Sequence, residues 1–431
     1  MAIFITTAVI ETALTLFRVI TRSNQAKVTS IVRIGVFLVF VLLAAAGIVE
    51  WDLRYTLIGA LLLALAVSGG LNLMRVKPGP EPLKPARLAL KAAGMTALLF
   101  AAALPAILFP QSRPLDPSGA YRVASAAYTY TDNARLETYS DAGEHRQLNV
   151  AFWYPDQGQG RFPLVVFSHG SFGVKTSNES LYRELASHGY VVASIDHTYQ
   201  CFFTTGADGR TIWMDMGYLR EVQAEDAKTD RQQSHAYYQK WMGIRMGDIN
   251  FVIDRILAET RGMSAEPVYA LVDPAKIGVM GHSLGGSAAL GMGRARDDIG
   301  AVIALEAPFM HDIAGVEADE FVWTAEPYPV PVLNIYSDAS WPHLSAWPQY
   351  ARNAELLREP PADAFSVHVE GVGHLALTDF GLTSPILTRI LDGKKPTVSI
   401  ESALGSINRL SLGFFDRYLK GVGEFSPDAR E

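Results

Sequence analysis

The sequence predicts an α/β protein, with a mostly parallel sheet and helices on both faces, preceded by an all-α membrane region of three to four transmembrane helices. Long apolar runs are concentrated in residues 1–110, and short apolar runs alternate with amphipathic stretches after residue 120. The 431 residues are 49% hydrophobic and only 19% charged, against about 25% charged in a soluble enzyme. We therefore expect a membrane region at 1–110, a Pro-rich linker at 111–120 and an α/β domain at 121–431.

Composition already excludes several classes of protein. The net charge of −7 and the many aromatic residues argue against nucleic-acid binding and against disorder. Cys201 is the single cysteine of the sequence, which excludes an intramolecular disulfide and any metal site built from several cysteines.

Three apolar runs without internal charge approach the length of a membrane span: Ile34–Val49, Tyr55–Met74 and Ala92–Pro110. About 20 apolar residues cross the hydrocarbon layer, a length that the first run reaches only with its flanks. A fourth candidate, Ala2–Ile20, has Glu11 near its middle. That segment either spans, with the carboxylate facing a neighbouring helix, or lies at the membrane interface.

The distribution of basic residues predicts the orientation. Nine of the ten Lys and Arg residues before position 110 lie in the stretches 18–33 and 75–91, and only Arg54 lies in the turn between the second and third runs. Because Lys- and Arg-rich short loops stay in the cytoplasm, residues after about 112 are expected on the extracytoplasmic side. The membrane region has a net charge of +6, which leaves −13 for the remainder.

The remainder alternates between strands and helices. A helix is predicted near Glu179–His188 and another from Leu284, among strands at Leu148–Trp153, Pro163–Phe167, Val191–Ile195, Lys276–Met280, Ala301–Leu305, Val330–Tyr336 and Phe365–Val369. Such alternation predicts a parallel sheet whose functional groups gather at the carboxyl ends of the strands. The long aromatic-rich stretch at 197–245 is either a lid insertion or an extra helical pair packed on the sheet.

Ser283 is the predicted nucleophile. It is the serine of Gly281-His-Ser-Leu-Gly285, a Gly-x-Ser-x-Gly pattern directly after an apolar strand and before a helix rich in small residues. A serine on a sharp strand-to-helix turn is exposed to substrate, and the flanking glycines allow close approach of the backbone. The start of the helix also directs N–H groups toward developing negative charge.

A second N–H donor for an oxyanion hole is expected from the loop after an earlier strand. The segment Pro163–Phe172 is an apolar strand that runs into His169-Gly170. The predicted donors are therefore the backbone N–H groups of Ser171 and Leu284.

The base is expected to be a histidine late in the chain. Among His311, His343, His368 and His374, we favour His374, since it follows the last predicted strand on a glycine-containing loop, whereas His368 lies within that strand. Two carboxylates at strand ends, Glu306 and Asp338, are candidates for the acid that orients the imidazole, and the residues alone do not separate them.

The α/β part resembles the plasma-type (isoform II-like) platelet-activating factor acetylhydrolases of the α/β-hydrolase superfamily. The resemblance runs from about Tyr121 to Tyr418 and depends on four segments: Phe162–Gly170, Leu185–Ala193, Ile277–Gly286 and Gly373–Phe380. It implies an α/β-hydrolase fold and calcium-independent hydrolysis of short or oxidised sn-2 acyl groups of phospholipids. The family's acid follows the strand after the nucleophile in a Leu-Asp context, a position that matches Glu306 and favours it over Asp338. The glutamate and the helical anchor both depart from the family's pattern.

Together these features predict a membrane-tethered serine esterase that acts on a lipid or small ester beside the bilayer, with no nucleic-acid partner. A serine peptidase or acyltransferase would use the same triad, and a non-catalytic membrane sensor is a further alternative. No metal or organic cofactor is expected, because His-Glu-x-x-His, P-loop and dinucleotide-binding glycine patterns are absent from the sequence.

Overall fold

The computed structural model describes residues 6, 7, 9–14, 17, 26–74, 85–262 and 266–430. These residues divide into two compact units, one made of the residues up to Arg113 together with Thr383–Leu387, and the other of Pro114–Leu382 with the residues from Thr388 onward.

The first unit contains three long helices: α1 (Ala26–Ala45), α2 (Leu53–Met74) and α3 (Pro85–Leu108). All three are long and apolar enough to cross a membrane, as predicted from the three uncharged runs. Most of Ala2–Ile20 lies outside the described residues. Within the described part, Glu11 accepts two hydrogen bonds from the Arg33 guanidinium, at 2.6 and 2.8 Å. The carboxylate is thus paired with a neighbouring residue of the same unit, which reduces its desolvation penalty.

The second unit is an α/β domain. Its strands are β1 (Val123–Leu136), β2 (His145–Pro155), β3 (Phe162–Ser168), β4 (Val191–Asp196), β5 (Phe203–Thr205), β6 (Thr211–Trp213), β7 (Val272–His282), β8 (Ile299–Leu305), β9 (Ile313–Glu317), β10 (Glu320–Trp323), β11 (Val332–Tyr336) and β12 (Ala364–His368). Its helices are α4 (Glu179–Ser187), α5 (Met216–Ala224), α6 (Arg231–Arg261), α7 (Pro267–Ala270), α8 (Leu284–Ala295), α9 (Ala351–Arg358), α10 (Phe380–Thr383), α11 (Pro385–Leu391) and α12 (Ile400–Phe415).

Eight strands form the central sheet in the order β1-β2-β4-β3-β7-β8-β11-β12. The pairs from β4 to β12 are parallel, and β1 and β2 are joined antiparallel at one edge. All seven predicted strands are present, and the mostly parallel sheet is confirmed. β1 was not predicted, because its sequence mixes small, polar and aromatic residues without an apolar run.

Both faces of the sheet are covered by helices. Alternate side chains of a strand point to opposite faces, and β3 illustrates this pattern. Leu164 and Val166 pack in one core cluster with α6 and α8, whereas Val165 and Phe167 pack in the other with α4 and α12. Burial on both faces explains why the strand is a continuous apolar run.

The stretch 197–245 forms the hairpin β5–β6, helix α5 and the first half of α6. Tyr238 of α6 is buried and donates to Glu225, which follows α5, at 2.5 Å. α5 and α6 are thus tied together as a helical pair, which is one of the two predicted alternatives for this stretch. The other alternative, a lid, stays a prediction.

Candidate active site

Ser283 lies between the carboxyl end of β7 and the start of α8. Its backbone has φ +53°, in the left-handed region that non-glycine residues rarely adopt. The Ser283 N–H donates to the Leu305 carbonyl at 2.8 Å, and the Ser283 carbonyl accepts from the Ser287 N–H at 3.0 Å. These bonds hold the residue in a strained conformation of the kind that clusters at functional sites.

The two glycines of the motif are required by close backbone packing. A Cβ at Gly285 would overlap the Ser168 carbonyl at the end of β3. A Cβ at Gly281 would overlap the Gly285 backbone and approach the Ser168 oxygen to 2.6 Å. The start of α8 can therefore pack against the end of β3 only because both positions are glycine, which accounts for the Gly-x-Ser-x-Gly spacing.

His374 lies on the loop after β12, where the sequence placed it. Its Nδ1 is 3.7 Å from Oε1 of Glu306, within ion-pair distance although longer than a hydrogen bond. Its ring packs against the ring of His282, with 4.5 Å between centroids. The side chain of His374 is 33% exposed, so the imidazole stays accessible to a substrate.

Glu306 follows β8 and is 2% exposed, with φ +51°. Its Oε2 accepts from the Ser337 N–H at 2.8 Å. Burial raises the pKa of this carboxyl, but the interactions with His374 and Ser337 outweigh burial and lower the pKa to about 2. Conversely, burial lowers the pKa of His374, and the Glu306 carboxylate raises it above the ordinary histidine value.

Asp338, the alternative acid, faces a different histidine. Its Oδ1 is 2.9 Å from Nε2 of His368 and 3.2 Å from the Gly371 N–H, and its Oδ2 accepts from Lys394 at 3.3 Å. Among the described residues, the carboxylate within ion-pair distance of His374 is that of Glu306. The geometry thus favours Glu306 over Asp338 as the acid, in agreement with the family resemblance.

The two predicted oxyanion donors meet at one cavity. Ser171 follows β3, and Leu284 is the first residue of α8, so its N–H has no acceptor within the helix. Both residues line a cavity of about 350 Å³ that is also lined by Ser283, Glu306 and His374. The other lining residues are Val222, Glu225, Trp241, Pro308, Met310, Ala339, Trp347, Gln349 and Tyr350.

Buried polar residues for which the sequence predicts no role support the loop that follows β3 and contains Ser171. Tyr218 of α5 donates to the Ser171 hydroxyl at 2.9 Å. Arg245 of α6, fully buried, donates to the His169 carbonyl, and its Nε donates to Gln200 at 2.7 Å. No local pattern marks these residues, since each contacts a segment far away in the sequence.

One group in the described part of the chain brings three metal-ligand types together, namely His169, Asp196 and Cys201, within 4.8 Å of one another. The Asp196 carboxylate already accepts from Lys175 Nζ at 2.6 Å and from Thr204 at 2.7 Å. Burial raises the pKa of the Cys201 thiol, which disfavours the thiolate that binds metals. The donors present therefore do not fit a metal ion.

Comparison with known families decides the assignment. The sequence pattern of the family described as Platelet-activating factor acetylhydrolase, isoform II, matches residues 147–427, which include every predicted site residue. The chain belongs to this family. Two enzymes named platelet-activating factor acetylhydrolase are similar to it: that of Canis lupus familiaris is 24% identical over 277 residues, and that of Cavia porcellus is 25% identical over 281. Each match covers 60% of this chain and 57% or 58% of the relative, so the chain matches less than three fifths of their length.

A solved structure supports the fold. The ferulic acid esterase from Streptomyces cinnamoneus superposes with a TM-score of 0.54 at 23% identity, covering 72% of this chain and 93% of the esterase. Together with membership of the acetylhydrolase family, this similarity confirms the predicted α/β-hydrolase fold.

Proposed function

We propose that this member of the acetylhydrolase family is a membrane-tethered serine esterase that forms an acyl-enzyme on Ser283. The observation that carries the proposal is the shared cavity. The strained Ser283 and the accessible His374 both line it, and the buried Glu306 carboxylate is within ion-pair distance of the imidazole.

In the proposed mechanism, His374 accepts the proton of Ser283 while the Oγ attacks the ester carbonyl. The oxyanion that forms accepts hydrogen bonds from the N–H groups of Ser171 and Leu284. His374 then donates its proton to the leaving alcohol, and the acyl group remains on Ser283. Water, deprotonated by the same imidazole, then attacks the acyl carbonyl, and the imidazolium returns the proton to the departing Oγ of Ser283 as the carboxylic acid is released. Glu306 stabilises the imidazolium in both halves of the reaction.

The proposed substrates are phospholipids with short or oxidised sn-2 acyl groups. Support comes from the acetylhydrolase family and from the cavity, whose 350 Å³ is near the small end of the range for ligand pockets. Trp241 of α6 contributes to the lining, so the helical pair of residues 197–245 forms part of the wall. A wall of large aromatic side chains limits the length of the acyl chain that fits.

Hydrolysis of phospholipids that differ only in sn-2 chain length tests this substrate class. We expect kcat/KM for an sn-2 acetyl group to exceed that for an sn-2 hexadecanoyl group at least about tenfold, because a long chain overfills a small cavity. Ser283→Ala is the control for background hydrolysis. Equal rates along the series, or turnover of simple esters with none of phospholipid, would contradict the substrate while leaving the esterase mechanism in place.

We also propose that α1, α2 and α3 tether the α/β domain on the extracytoplasmic side. Their length and hydropathy and the basic residues of 18–33 and 75–91 support this orientation. In sealed right-side-out membrane vesicles, an external protease should digest an epitope attached to the C-terminal end without detergent. Protection of the epitope until detergent is added would contradict the orientation.

A further inference from the structure

Asp392 is a carboxylate beside the site that the proposed mechanism does not use. It directly follows α11, where its N–H donates to the Thr388 carbonyl at 2.8 Å. Its Oδ1 accepts from the Leu375 N–H at 3.0 Å. Its Oδ2 is buried and has no hydrogen-bond partner among the described residues. The side chain therefore sits partly desolvated against the loop that holds the proposed base.

The residue before the base contacts the same carboxyl group. A Cβ placed on Gly373 would overlap Oδ2 of Asp392 and lie only 2.5 Å from its Cγ and 2.8 Å from its Cβ. Asp392 thus packs against Gly373 and hydrogen-bonds Leu375, the two neighbours of His374 in the chain. No side chain larger than hydrogen fits at position 373 without displacing the carboxylate.

A single peptide unit is bound from both sides. The carbonyl of His374 is 3.1 Å from Nε2 of His282, which is the donor because the carbonyl can only accept. The N–H of the same peptide unit, contributed by Leu375, donates to Asp392. With both polar groups bound, the peptide plane cannot rotate freely, and its orientation determines the direction in which the His374 side chain leaves the backbone.

We infer that Asp392 is a positioning residue for His374, which it serves by fixing the His374–Leu375 peptide and by placing a second negative charge beside the imidazole. The inference rests on the proposed role of His374 as the base.

The effect of the Asp392 charge on His374 can be tested, because few other charged or titratable groups among the residues that the structure describes surround this imidazole. The groups around it are Glu306 after β8, Asp392 after α11 and His282 at the end of β7. Burial lowers the pKa of His282 to about 3, so this neighbour is neutral near pH 7 and adds no charge. Burial also lowers the pKa of His374, whereas Glu306 and Asp392 both raise it. Removing the charge of Asp392 must therefore lower the pKa of His374.

The test uses the full chain and a water-soluble acetyl ester. Asp392→Asn keeps an oxygen acceptor for the Leu375 N–H and removes the charge, while Asp392→Ala removes both. Asp273→Asn is the matched control, since Asp273 also accepts a backbone N–H, that of Ala275 at 3.1 Å, but lies near the start of β7, about 20 Å from its carboxyl end. For each variant, kcat/KM and the rate of inactivation by a fluorophosphonate are measured against pH.

We expect the acidic limb of both profiles to move to lower pH by about half a unit in Asp392→Asn, because the imidazole loses a stabilising charge and becomes a free base at lower pH. The plateau of this variant should stay within about threefold of wild type. Asp392→Ala should show the same shift and about a tenfold lower plateau, because the peptide is no longer fixed. Asp273→Asn should match wild type in both respects.

If the acidic limbs of Asp392→Asn superimpose on those of Asp273→Asn, the inference is overturned. A lower thermal stability of Asp392→Asn would not rescue it, since a merely structural role does not move the pKa of the base. If Asp392→Ala does not fold, Asp392→Asn alone decides, because it retains the acceptor. A wild-type chain without hydrolysis or labelling would contradict the proposed function, and the base role of His374 with it. That result differs from an active wild type whose acidic limb is the same as that of Asp392→Asn, which would contradict only the role of Asp392.

Discussion

Replacing Ser283 with alanine should lower kcat for ester hydrolysis by about 10⁴- to 10⁶-fold. The variant loses the only group that the proposed mechanism acylates, while the cavity and the N–H groups of Ser171 and Leu284 remain. KM should change little, because the truncation removes a single oxygen from a lining of fourteen residues. Steady-state hydrolysis of a chromogenic acetyl ester measures both constants.

Ser287→Ala is the matched control for this experiment. Ser287 is buried one turn further along α8, and its hydroxyl has no hydrogen-bond partner among the described residues. Removal of this hydroxyl should leave kcat within about threefold of wild type. Comparable losses in Ser283→Ala and Ser287→Ala would indicate damage to the helix rather than removal of a nucleophile, and would contradict the assignment.

Exchanging Glu306 for glutamine should lower kcat by about 10²- to 10⁴-fold, because the buried amide no longer stabilises the imidazolium of His374 and no longer fixes its tautomer. Since the pKa of Glu306 is held at about 2, the wild-type residue is a carboxylate throughout the neutral range. The loss should therefore appear at every pH between about 5 and 9. Measurement of kcat across that range checks the prediction.

The comparison variant is Asp338→Asn, which makes the same change at the alternative acid. Because Asp338 faces His368 and Lys394, we expect kcat to fall less than about threefold. A large loss in Asp338→Asn with a mild one in Glu306→Gln would reverse the assignment. Mild losses of kcat in both variants would contradict both assignments of the acid.

The ambiguity between these two carboxylates has a physical origin. Glu306 follows β8 and Asp338 follows β11 closely, and these strands are parallel neighbours in the sheet. Both carboxylates therefore reach the same edge of the sheet, and strand order along the chain cannot tell which one points to His374, the proposed base. Backbone conformation separates them in three dimensions: the left-handed φ of Glu306 accompanies a side chain directed to His374.

Local patterns were sufficient for most of the fold and for the turn around Ser283. Continuous apolar runs predict strands buried on both faces. Gly281 and Gly285 are required because the backbones approach so closely there that a side chain would overlap them. Strand β1 lies at the sheet edge with mixed composition, so it lacks such a run. Its pairing with β2 joins residues that are 9 to 32 positions apart, which periodicity does not detect.

The supporting residues of the site were not predictable in the same way. Arg245, Tyr218 and Asp392 lie in stretches without a recognisable functional motif, and their partners lie 17 to 76 positions away along the chain. Their roles arise only from tertiary contacts. His282 lies within the nucleophile motif, yet its contact with the His374 carbonyl joins residues 92 positions apart.

The nucleophilic role of Ser283 is tested by reacting the full chain with a fluorophosphonate and mapping the modified residue by peptide mass spectrometry. One adduct per chain is expected, on Ser283, with loss of ester hydrolysis in proportion to labelling, and no adduct is expected in Ser283→Ala. An adduct on another residue, or full labelling of Ser283 without loss of hydrolysis, would contradict that role.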